Sequence, residues 1–431
     1  MATAPIDLSS LPGPESIGRR VFPNGVVGLA WENYTSASVV VHGWLWAGSN
    51  DEPPEQAGLA GLTTAMLTQG TERRTFAQIS EEIESIGASL IIGGGAHTTH
   101  FTTKCLAEDL PQVIDILTDC LYHPSFPSEY LEKTRGEALT TIQQREHDTQ
   151  AMAALRFHEQ LYPNHPYGRS QLGYRETVEA VTRQDVQTFY RANFGAQGMG
   201  VAIVGALPRG EALDMLEQCM GQWQGTRRTP PSLPPAPHVT EIRTTRVPIS
   251  GKTQSDIVLG WVAFRRQDPD FMPAYLANCV LGQFGMMGRI GDYVRDEQGL
   301  AYYAYTSLHA GQGPGPWAAV AGVAPENVEE AVEAILYQVR RLQQEPVGEQ
   351  ELADNKAYLV GSLPLRLEAK ESVAGQIAHM EMYQLGLDYL QRFPALIEAL
   401  TADDIMAVSA KYMRPEAYVL SIAGPDGGEE S

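Results

Sequence analysis

The chain has 431 residues, with 31 Lys and Arg against 52 Asp and Glu, a formal charge of −21, and 43% hydrophobic and 19% charged residues. Such a length implies two or three domains, each able to bury a core, and the composition excludes a largely disordered chain. The charge balance excludes the concentrated positive patches that hold a nucleic-acid backbone; it allows either a negative cavity that draws basic peptides or simply a soluble surface.

The opening residues, MATAPIDLSSLPGPESIGRR, lack the apolar run of a secretory signal, and no stretch is apolar enough to span a membrane. The four cysteines, Cys105, Cys120, Cys219 and Cys279, stand far apart without CxxC or zinc-ribbon spacing. A reducing compartment, and so a cytoplasmic protein, is expected.

VFPNGVVGLAW and ASVVVHGWLWA alternate and are β-branched, and so read as strands. GLAGLTTAMLTQG follows as a helix stopped at Gly70, then FAQISEEIESIG as an amphipathic helix ended by Gly87. SLIIGGGAHTTHFTTKCL predicts a strand pair turning at Gly93, Gly94 and Gly95, and DLPQVIDILTDCL another helix. One long helical stretch is expected over 128–162, and a closing helix and strand end near Gly205. TRRTPPSLPPAPHVT, residues 226–240, has five prolines between Pro230 and Pro237 and reads as an extended linker.

The order then repeats. VEAVTRQDV at 178–186 matches IEALTADDI at 397–405, an offset of 219 that also relates Asp185 to Asp404 and the strand VAIVG, ending at Gly205, to LSIAG, ending at Gly424. Earlier the offset drifts to 212, where Gly87 answers Gly299. Two copies of one domain are expected, 1–227 and 228–431. Elements ordered β-β-α-α-β-β-α point to the α+β class with mostly antiparallel sheets.

Few residues offer chemistry. His97 and His100 lie three apart on a strand and face opposite ways, while His158 and His165 lack a third ligand at standard spacing, so the histidines read as structural. Neither HExxH nor HxxEH occurs, nor a GxGxxG after a strand, a Walker A loop or a GxSxG elbow. What remains is Arg295 in a last helical turn and Tyr302 at the start of the strand LAYYAYTSL, joined by a turn at Gly299. A guanidinium and a phenol aimed at one point suit a peptide carbonyl or a developing oxyanion. Spacing alone favours the structural reading, in which Arg295 answers the helix C-terminal dipole and Tyr302 packs half-buried on the strand.

From Val21 to Gly424 the chain resembles the pitrilysin/insulinase family of zinc peptidases, whose members carry HxxEH and tandem α+β halves of the LuxS/MPP-like metallohydrolase fold. The segment from Gly58 to Thr71, GLAGLTTAMLTQGT, is similar to the family's GLAHFLEHMLFxGT. The resemblance puts the zinc histidines at Gly61 and Ala65, the glutamate base at Thr64, and the third ligand near Thr141. None of the four has the needed chemistry, so this chain is expected to hold no metal or other cofactor and no hydrolytic residue. LGQFGMMGRIGDYVRDEQGLAYYAYTS is similar to the segment bearing the family's substrate-binding Arg and Tyr, which fall at Arg295 and Tyr302. The resemblance implies the non-catalytic subunit of a bacterial-type heterodimer. A homologous HxxEH-bearing partner would hold the zinc, and a peptide or unfolded polypeptide would be the substrate, with neither nucleic acid nor membrane involved. The alternative is an inert structural or assembly protein of the same fold, as in respiratory-complex core subunits.

Overall fold

A computed structural model describes residues 10–223, 233–285 and 287–425. The expected linker therefore lies outside the described residues over 226–232, and 233–240 forms neither helix nor strand.

The described residues build two mixed sheets with helices. The first contains β1 (Ile17–Val21), β2 (Val27–Glu32), β3 (Ser38–Leu45), β4 (Ser89–Gly94), β5 (Thr99–Leu106) and β6 (Gly200–Gly205), in the order β1-β2-β6-β3-β5-β4. The second contains β7 (Arg243–Pro248), β8 (Ser255–Val262), β9 (Ala301–Leu308), β10 (Pro316–Val323) and β11 (Val419–Gly424), in the order β7-β11-β8-β10-β9. Without the β1 strand the two orders are the same, and each sheet has one parallel pair, β2 with β6 and β7 with β11. The α+β class and the repeat are thus both present in the strand topology.

Particular residues explain why the repeat was visible. Asp185 and Asp404 each complete a capping box with the threonine three residues before, Thr182 and Thr401; in both, the threonine N–H donates to the carboxylate at 2.8 Å. Gly87 and Gly299 sit at φ +63° and +64°, reversing the chain into β4 and β9, a conformation costly for any residue with a Cβ. β6 and β11 are buried along their whole length, hence their apolar sequences.

Two local expectations need correction. The stretch 128–162 is not one helix: Ser128–Glu146 ends, and Asp148 caps a second helix, Thr149–Leu161, by accepting from the Ala151 N–H at 2.7 Å. Gly93 and Gly94 belong to β4, and the turn falls at 95–98, where the Gly95 N–H bonds the Thr98 carbonyl.

The compact units also differ from the contiguous halves 1–227 and 228–431. One comprises 1–142, 170–232 and 363–392; the other comprises 143–169, 233–362 and 393–431. Each half thus lends a segment to the other's unit. In the first unit the helix Lys370–Met382 packs on β3 and β6. Its Lys370 ammonium, 6% exposed, donates to the Ser36 and Ser38 carbonyls at 2.8 Å each. In the second unit the helix Thr149–Leu161 lies on β8 and β11, where Met152, Ala153, Phe157 and Leu161 share a core with Val258, Val320 and Val419. Burial of that apolar face, at about 25 cal/mol per Å², outweighs connection to the chain's own half.

Candidate functional site

In the first unit the helix Leu59–Met66 carries the first three positions where the resemblance puts zinc chemistry. Its N-terminus is held by Glu52, 4% exposed, whose carboxylate accepts from the Gly58 N–H at 3.0 Å and the Ala60 N–H at 2.8 Å. An anion at a helix N-terminus satisfies donors that have no partner within the helix. One turn apart on the exposed face stand Gly61 and Ala65. A Cβ at Gly61 would meet only the Gln171 carbonyl oxygen, at 3.5 Å, so a side chain has room there. What the face lacks is donor chemistry.

Thr64 is buried and its hydroxyl donates to the Ala60 carbonyl at 2.9 Å. Thr141 is exposed on Ser128–Glu146 and its hydroxyl donates back to the Glu137 carbonyl at 3.0 Å. Both threonines therefore spend their proton on the helix backbone. Nothing at these four positions fits a zinc ion. Among the described residues no three His, Cys, Asp or Glu side chains converge as metal ligands.

The histidines have local roles. His42 and His100 stack with ring centres 6.1 Å apart; burial, reinforced by His100, holds His42 down to about 4, and burial also lowers His100. His165 accepts from the Tyr167 N–H at 3.1 Å and its other nitrogen lies 3.2 Å from the Pro234 carbonyl oxygen. His158 lines a cleft of about 130 Å³ with His309, Tyr305 and Gln150; burial and then His309 hold it down to about 4. His97 sits in the 95–98 turn, 3.4 Å from the Asn50 amide nitrogen. These pKa directions favour neutral imidazoles, consistent with packing rather than proton transfer.

Arg295 and Tyr302 both belong to the second unit, on consecutive elements. Arg295 lies in Gly291–Glu297, which is wound as a π-helix: the Gln298 N–H reaches back five residues to the Tyr293 carbonyl at 3.0 Å. Single π turns are uncommon and frequently occur at functional sites. Gly299 then turns the chain, and the Leu300 N–H bonds the Val294 carbonyl at 2.9 Å, closing a turn wider than an α-helical one. Ile290 and Val294 anchor the segment as wholly buried side chains, while the Arg289 guanidinium forks onto Glu351 at 2.7 and 2.6 Å. The Arg295 side chain is 30% exposed, with Nε 3.7 Å from an Asp296 carboxylate oxygen.

Tyr302 is 80% exposed, the most exposed large apolar or aromatic side chain among the described residues. It stands at a β-bulge. Along β9 and β10 the pairs run from Leu308 with Trp317 to Tyr303 with Gly322, and then Ala301 pairs with Val323, leaving Tyr302 as the extra residue. A bulge re-aims the side chain it carries. The corresponding pair β4–β5 keeps one register from Ser89 with Lys104 to Gly94 with Thr99. The helix preceding β4, Phe76–Glu84, is an ordinary α-helix. Among the described residues, both irregularities therefore occur only in the half that bears Arg295 and Tyr302. Neither could be read from the sequence, because both are set by which backbone groups pair.

Residues 29–174 match the model of the insulinase family, peptidase family M16, and residues 180–359 match the model described as the peptidase M16 inactive domain. An uncharacterized zinc protease of Streptomyces coelicolor is 26% identical over 426 residues, 96% of this chain and 90% of the relative. A crystal structure of a peptidase M16 inactive domain from Pseudomonas fluorescens superposes with a TM-score of 0.89 at 22% identity, covering 95% of this chain and 98% of that one. A chain of complex III from Candida albicans superposes at 0.79 and 16% identity, covering 94% and 95%.

Proposed function

The chain belongs to the pitrilysin/insulinase family, and we propose that it serves there as the non-catalytic, substrate-binding subunit of a heterodimeric zinc metalloendopeptidase. One contrast carries this reading. The positions that would hold metal and base are Gly61, Thr64, Ala65 and Thr141, whereas the Arg295–Tyr302 segment is kept with a π turn and a bulge that the other half lacks. A structural copy has no evident need of either irregularity, since each departs from a regular ladder.

In this reading the partner is a homologue with HxxEH, which holds the zinc and breaks the bond. This chain's part is positioning. The Arg295 guanidinium donates in a fixed fork to main-chain carbonyls of the peptide, and the Tyr302 phenol donates to the carbonyl oxygen on which charge develops. Holding the peptide in line lowers the entropic cost of reaction at the partner's centre. The complex acts in the cytoplasm on a peptide or unfolded polypeptide, without nucleic acid or membrane.

The experiment is to purify the chain alone and together with an HxxEH-bearing homologue from the same source. Alone it should contain no stoichiometric zinc and cleave no peptide; the mixed complex should contain one zinc per pair and cleave. One tight zinc per isolated chain, lost on replacing a histidine, would refute the assignment. An assembled mixed complex with no peptidase activity beyond the partner's own would favour the structural reading.

A further inference from the structure

Asp256 is a carboxylate at the second position of an otherwise largely apolar strand. It lies on β8 and is 2% exposed, and its hydrogen-bond partners among the described residues are the hydroxyls of Tyr303 and Thr149 and the Gln254 amide nitrogen at 3.2 Å, with no Lys or Arg among them. Burying a carboxylate this way is costly unless its lone pairs are filled. In the first sheet Val40 occupies the corresponding place: Val40 faces Val204, and Asp256 faces Ala423, 219 residues later. The carboxylate is therefore not a requirement of the shared fold.

Its principal donor is the residue next to Tyr302. The Tyr303 hydroxyl donates to Asp256, and its ring lies over Gly322, where a Cβ would come within 2.6 Å of the ring and of the Gln254 amide. Gly322 is Tyr303's cross-strand partner and the last residue before the register shift. One phenol thus spans the edge strand β9, crosses the bare backbone of β10 and ends on β8, just where the bulge begins.

Resting on the substrate-binding reading of Tyr302, we propose that Tyr303, seated over Gly322 and bonded to Asp256, is a positioning residue that fixes the bulge in β9 and so the direction of Tyr302. A bulge can move along a ladder by one residue, and a one-residue slip sends a side chain to the other face. With Tyr303 tethered, the extra residue is Tyr302. Untethered, the bulge is free to migrate and Tyr302 can enter the regular ladder.

The test uses the assembled complex with its HxxEH partner. Tyr303→Phe should lower kcat by roughly 10- to 100-fold, the scale of a misplaced catalytic contact, while KM stays within about twofold. In a Tyr302→Phe background the same change should cost less than about twofold, because its effect passes through the phenol already removed. Asp256→Asn, whose amide oxygen still accepts from the Tyr303 hydroxyl, should retain activity within about threefold. Gly322→Ala, which crowds the Tyr303 ring from below, should reproduce the kcat loss, and it carries the test if Tyr303→Phe does not assemble. If Tyr302→Phe is slow but neither Tyr303→Phe nor Gly322→Ala is, or if the losses are additive, the pin is overturned while the substrate-binding reading stands. If Tyr302→Phe itself costs nothing, both fall.

Discussion

Tyr302→Phe, in a complex assembled with the HxxEH-bearing partner, is expected to slow peptide cleavage by about 10²–10³, the ~3–4 kcal/mol that a preorganised donor to a developing oxyanion supplies. The substitution removes one oxygen from a side chain that is 80% exposed, so stability and assembly should not change. Arg295→Ala should lower kcat and raise KM together, since a guanidinium that grips main-chain carbonyls both holds the bound peptide and aligns it for reaction. Steady-state kinetics on one peptide, with melting temperatures measured alongside, checks both. Loss of activity with an equal loss of melting temperature would point to packing.

The second large effect concerns stability in the first unit. Asp119 is 1% exposed and accepts from the Thr71 hydroxyl at 2.7 Å, Arg73 Nε at 2.8 Å and Arg74 Nη1 at 2.9 Å. Burial pushes its pKa up, but the bonds from Thr71, Arg73 and Arg74 outweigh burial and leave it below the usual carboxylate range. Breaking a buried pair typically costs 3–5 kcal/mol. Here both arginines keep Asp115, and Arg74 also keeps Glu82, so Asp119→Ala should cost about 3 kcal/mol, the low end of that range. That is a fall of roughly 6–12 °C in melting temperature for a domain of this size. Because the folded pKa is lowered, this stabilisation is fully present above the unfolded value near 4 and is lost as pH falls through the folded one. The deficit of Asp119→Ala relative to wild type should therefore shrink in acid. The exposed pair Lys104–Glu371, with side chains 51% and 38% accessible, should by contrast contribute about 0–1 kcal/mol.

The repeat and the α+β class were legible because the residues that preserve the offset answer local rules. Thr182 with Asp185 and Thr401 with Asp404 cap helices, and Gly87 and Gly299 turn the chain, whatever the rest of the protein does. The break at His147 and Asp148 was hidden because neither proline nor glycine marks it, although aspartate before Thr149 was a usable capping signal. The exchange of segments could not be read at all. Whether Phe157 packs against Val258 or against its own half is decided by a sheet assembled from residues far along the chain. The Arg295–Tyr302 spacing was visible, but the π turn and bulge were not, since both depend on hydrogen-bond register. Asp256 did leave a trace: a lone carboxylate in SDIVLGWV is out of place in a buried strand.

The central claim is that a chain without metal ligands supplies part of a peptidase site. It is tested most directly by the double variant Arg295→Ala with Tyr302→Phe, assembled with the HxxEH-bearing homologue, with peptide turnover, zinc content and complex mass measured on the same preparation. The expected result is a complex of normal mass with one zinc per pair and turnover reduced at least about 10²-fold. Turnover at the wild-type rate in that complex would contradict it, and would leave Arg295 and Tyr302 as parts of a structural copy of the fold.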